Sequence, residues 1–69
     1  MEGKLDRLPP GGWGMITRMG YAPRLYQLGL QPGVTVFCKY KSRGVMVLKV
    51  QKRLLALRRR ELYCVWVDY

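Results

Sequence analysis

Between Pro23 and Val36 the spacing of apolar residues switches from three to two, and the rest of the chain reads outward from that switch. Leu25 and Leu28, three apart, fall on one face of a short helix that Pro23 can open, since the first helical position needs no N–H. Gly29 stands where a helix end wants a left-handed residue, and Leu30 one step further is placed to fold back onto Leu25. Gln31-Pro32-Gly33 carries the signature of a type II turn, with Pro fixing φ and Gly supplying a positive one. Val34-Thr35-Val36 then opens an alternating pattern that predicts a strand to about Lys41, with Val36 and Cys38 inward and Phe37 and Lys39 outward.

The flanking stretches extend this pattern. Leu5 and Leu8, three apart and followed by Pro9-Pro10-Gly11-Gly12, predict a turn of helix or an irregular arm that the prolines end. Trp13 reads as a packing plug. Gly14–Met19 reads as a strand anchored by Ile16 and Met19, whose odd spacing predicts a bulge near Thr17-Arg18. Ser42-Arg43-Gly44 signals a hairpin turn in which Gly takes the awkward backbone angle, and Val45–Val50 forms the return strand. Residues 51–62 have the composition of a basic amphipathic helix. A strand over Leu54–Leu57 followed by a turn through Arg59–Leu62 competes with it, because a two-stranded hairpin is only marginally stable in water. Tyr63–Val67 reads as a last strand with Tyr63, Val65 and Val67 on one face. About five short strands and one short helix describe a small, strongly bent sheet that curls on itself.

Size narrows the picture: 69 residues make a single domain over 1–69, and a 49% hydrophobic content supplies a small core. No apolar run approaches the ~20 residues of a membrane span, and no signal-peptide pattern opens the chain, so the cytoplasm is the expected compartment. Cys38 and Cys64 are too few for a disulfide framework, and strand alternation points them to opposite faces. With no histidine, one serine and four carboxylates, the base–nucleophile pairs of catalysis cannot be assembled, and no enzyme activity is expected. Glu2, Asp6, Glu61 and Asp68 are scattered toward the two ends, so neither a metal site nor a cofactor is expected. Gly11-Gly12-x-Gly14 lacks the Lys-Ser/Thr of a phosphate loop.

The net charge of +9 admits three kinds of partner: nucleic acid, an anionic lipid surface or an acidic protein. Lys52, Arg53, Arg58, Arg59 and Arg60 form its densest stretch, and aromatic residues Phe37, Tyr40 and Tyr63 lie among the cations.

Taken together, Leu5-x-x-Leu8-Pro9-Pro10-Gly11, Gly14-x-Ile16-x-x-Met19, Arg24-Leu25-x-x-Leu28-Gly29-Leu30-x-Pro32-Gly33, Leu55-Ala56-Leu57-Arg58 and Leu62-x-x-Val65-x-Val67 resemble the FeoA family of ferrous iron transport proteins. The central stretch is the most specific of these. The resemblance implies a mainly β, small SH3-like β-barrel of about five strands with one short helix, and it favours strand plus turn over a helix in residues 51–62. It further implies a regulatory module that binds the cytoplasmic GTPase portion of FeoB, the membrane ferrous-iron permease, with weak self-association left open. The contact surface expected on that basis is Leu25, Tyr26, Leu28 and Leu30 of the helix and its exit, with Phe37, and Trp66 as a further outward aromatic. Nucleic-acid binding by a basic small barrel is the competing reading, which the family precedent disfavours.

Overall fold

A computed structural model describes all of residues 1–69. Six antiparallel strands form one sheet: β1 (Glu2–Lys4), β2 (Trp13–Met19), β3 (Thr35–Lys41), β4 (Val45–Val50), β5 (Arg53–Arg58) and β6 (Val65–Asp68), in the order β1-β6-β2-β3-β4-β5. One α-helix, α1 (Pro23–Gln27), and two 3-10 turns, Leu5–Arg7 and Arg59–Leu62, complete the chain. Extents of 25 × 24 × 23 Å are far from those of a flat layer, so the sheet is rolled around its own apolar face. That face supplies a core of 14 residues, among them Leu5, Leu8, Ile16, Leu25, Leu30, Val36, Leu48, Leu57, Leu62 and Val67.

The central switch folds as its spacing predicts. Pro23 occupies the start of α1, and Leu28 caps its end. Gly29 takes φ +95°; its N–H donates to Tyr26 O (3.0 Å), while the Leu30 N–H reaches Leu25 O (3.0 Å). This pair of bonds is the Schellman closure, and it sets Leu30 and Leu25 together in the core. Val34 N–H donates to Gln31 O (3.1 Å) across Pro32-Gly33, with Gly33 at φ +95°. The bulge in β2 is present between Ile16 and Arg18, and a second one falls between Cys38 and Tyr40 of β3.

Several sequence expectations need correction. The N-terminal arm is a strand followed by a 3-10 turn: β1 pairs with β6, and the Met1 amino group meets Asp68 (2.8 Å). With β1 the sheet has six strands, in keeping with the mainly β, SH3-like expectation of about five. Residues 51–62 follow the strand-plus-turn expectation rather than the helical propensity, because β5 pairs along β4, and the chain turns at Arg59–Leu62. Tyr63 lies outside β6 and is exposed, whereas Val65 and Val67 face inward. Trp13 is 61% exposed, not a plug. Gly44 has no left-handed φ; the residue that does is Gln51 (φ 57°), in the two-residue turn joining β4 to β5.

The two edges of the sheet, β1 and β5, do not pair with each other. The seam between them is bridged by the two 3-10 turns. Asp6 in the first is almost fully buried, and its Oδ2 lies 3.6 Å from Arg59 Nη2 in the second. The Asp6 carbonyl oxygen accepts from Lys41 Nζ (3.1 Å) and Arg59 Nη2 (3.4 Å), and Arg59 Nη1 donates to Ser42 O (3.1 Å). Leu5, Leu8 and Leu62 fill the space beneath.

Two measurements test this account. Gly29→Ala should cost about 1–2 kcal/mol, since L residues resist a positive φ and the new Cβ would stand 3.1 Å from Arg53 Nη2; Gln51→Gly should have the opposite sign, each read as a shift of several degrees in melting temperature. Asp6→Asn should cost about 1–3 kcal/mol in urea unfolding, because it takes the carboxylate from a half-buried Arg59 while leaving the backbone bonds in place.

Candidate partner-binding surface

The residues expected to meet a partner are distributed over three places. Leu25 and Leu30 belong to the core and offer no surface. Tyr26 (44% exposed) and half-buried Leu28 stand on the outer side of α1 and at its exit. Phe37 lies on the outer face of the sheet, because residues 36 and 38 point inward.

The helix itself is held at both ends by the segment that follows β4. Arg53 donates to the Leu28 carbonyl, one of the groups a helix end leaves unpaired. Arg24 pairs with Glu61, whose other oxygen accepts from the Arg58 N–H (3.3 Å). Arg53 is thereby engaged in structure. The basic stretch also divides: Lys52 and Arg53 stand at the start of β5 and Arg58–Arg60 at its end, about 17 Å away along the strand.

What alternation alone did not single out is the company Phe37 keeps. Strand register sets Trp13 opposite Phe37, Phe37 opposite Lys49, and Lys49 opposite Leu54, so four neighbouring strands present one outward row. The Trp13 and Phe37 rings meet at 4.8 Å between centroids, tilted by 49°. Leu54 (56% exposed) and Met15 (45%) extend the apolar surface, and a depression of about 420 Å³ beside the row is lined by Trp13, Val34, Thr35, Lys49 and Gln51. Glycines 11 and 12 ahead of Trp13 were the only sequence cue to its position, and they were equally compatible with a buried ring. Trp66, by contrast, is covered by cations: Arg18 stacks over its ring at 4.3 Å and Lys4 lies at 5.7 Å, with Arg18 held by Glu2 (3.4 Å).

Both cysteines are free. Burial pushes the Cys38 thiol up from its ordinary value, opposed in part by the Lys41 cation and a backbone hydrogen bond at Tyr40.

These features define a class: a small rolled β-sheet protein of the SH3-like kind, with an exposed aromatic row and no helix long and apolar enough to cross a membrane. The chain belongs to the FeoA family, a small accessory domain associated with ferrous iron transport, whose model matches residues 3–69. A crystal structure of an iron uptake regulatory protein, FeoA, superposes with a TM-score of 0.87 at 25% identity, covering 99% of this chain and 96% of that one. A manganese-dependent transcriptional repressor contains the same fold within a longer chain (TM-score 0.83, 14% identity, 96% of this chain and 40% of that one). No curated protein sequence gives a significant match.

The thiols supply a check on the packing. At pH 8 a disulfide reagent should label Cys64 rapidly and Cys38 only on unfolding, one thiol in buffer and two in urea. Because burial raises the folded Cys38 thiol above its unfolded value, its contribution to stability is complete below the unfolded value and is lost as pH rises through the folded one; Cys38→Ala should flatten this alkaline decline.

Proposed function

We propose that this protein is a cytoplasmic accessory module of ferrous iron uptake that binds the cytoplasmic GTPase portion of a FeoB-type permease. Family membership supports the partner. The observation that supports a docking role is the Trp13–Phe37–Lys49–Leu54 row: two touching aromatic rings and an exposed leucine with one lysine among them, set on adjacent strands of a domain this small, have the make-up of a binding patch. The row takes the centre of the contact and Tyr26 with Leu28 a flank, while the surplus of cations speeds encounter with an acidic partner more than it strengthens the complex.

Titration of the purified FeoB cytoplasmic domain with this protein tests the reading. Trp13→Ala and Phe37→Ala should each weaken association by about tenfold or more, and Tyr26→Ala by less. Absence of association across nucleotide states and at low salt would refute the partner. Association that survives both row substitutions but is lost in Tyr26→Ala would move the contact to the helix.

A further inference from the structure

At the end of β5, on the side of the β3–β4 hairpin, an open cleft of about 440 Å³ is lined by Arg43, Val45, Arg58, Arg59, Arg60 and Tyr63, with Gly44 at its rim. Four of these side chains are guanidinium groups and none is a carboxylate. Every side-chain carboxylate of the chain is already paired: Glu2 with Arg18, Asp6 with Arg59 of the cleft wall, Glu61 with Arg24 and Asp68 with the N-terminus. Arg43, Arg58 and Arg60 therefore have no ion-pair partner, although Arg58 sits directly across from Val45 and its neighbours crowd the same corner. Such crowding of like charge is unfavourable unless something anionic relieves it. Arg59 is fixed against Asp6 and Ser42, so one wall of the cleft is rigid and donates from a set position.

We propose that this cleft is a binding site for a pyrophosphate group. Arginine matches phosphate through its planar pair of N–H donors, and three unpaired guanidiniums balance two linked phosphates, which carry roughly three negative charges near neutral pH. The exposed Tyr63 adds a hydroxyl donor, and Val45 and Tyr63 are the only hydrophobic residues in the lining. The pyrophosphate comes either free or as part of a nucleoside diphosphate whose base would rest on the Tyr63 ring. The site does not depend on the permease partner and is separate from the Trp13–Phe37 row.

The test is calorimetric titration of the full chain with sodium pyrophosphate and with orthophosphate at matched ionic strength. Pyrophosphate should bind at least about tenfold more tightly, since orthophosphate cannot engage all three free arginines. R43Q/R58Q/R60Q should weaken pyrophosphate binding at least about tenfold, while K39Q/K49Q/K52Q, which removes the same net charge elsewhere, should change it by less than about threefold. Arg59 is left intact to preserve the seam; should the triple variant unfold, the exposed hairpin substitution Arg43→Gln alone should still cost about threefold. Tighter binding of ADP or GDP than of pyrophosphate, with a shift of the Tyr63 ring resonances, assigns the nucleotide source; equal or weaker binding assigns the free anion. Equal losses in the two triple variants, equal affinity for the two phosphates, or no binding at low salt would each overturn the site.

Discussion

The structure depends on how a six-stranded sheet of so short a chain closes without a closing ladder. β1 and β5 are its free edges, and the chain joins them through side chains and carbonyl groups. Asp6 is the hub. Its backbone oxygen collects Lys41 from the end of β3 and Arg59 from the second 3-10 turn, and its carboxylate faces the same arginine. A charge sheltered this well is tolerable only beside a counter-charge, which Arg59 supplies, while Lys41 brings a second cation to the carbonyl of the same residue. The leucines beneath, Leu5, Leu8 and Leu62, contribute the burial that the polar knot directs.

The same economy governs the helix. Five residues cannot form a stable helix in water, so α1 exists because its inner leucines are packed and its ends are held. Glu61 and Arg53 hold the two ends from the segment around β5, the first through Arg24 of the helix, and Gly29 lets the chain leave toward β3. Each side-chain carboxylate of the protein is used in an ion pair, which leaves most of the cations without a side-chain counter-charge. The surface is basic because 13 Lys and Arg face only four Asp and Glu, all of them paired.

Much of the fold was legible in the sequence where a local rule and the tertiary arrangement agree. Pro23, Gly29, Leu30 and Pro32-Gly33 specify their own backbone, and their geometry matches residue by residue. Legibility failed where the decision is made by a distant strand. Glu2–Lys4 has no strand pattern of its own and becomes β1 only because β6 offers an edge. Residues 53–58 read as helical by propensity, and β4 overrides that preference. Gln51 in place of a glycine at a positive φ carries no sequence signal at all. Of the expected contact residues, Leu25 and Leu30 were absorbed by the core, since spacing identifies an apolar face without saying what covers it. Trp13 emerged only from the strand register that sets it beside Phe37.

The chain ends have a consequence for how such a unit is used. The Met1 carbonyl accepts from the Tyr69 N–H (2.9 Å) beside the Met1–Asp68 ion pair, so the polypeptide enters and leaves at a single point on one margin. A body of this shape can hang from a longer polypeptide by one doorway, or be spliced into it with little need for spacer, while the remainder of its surface stays clear. Its occurrence within 40% of a repressor chain is what that geometry permits.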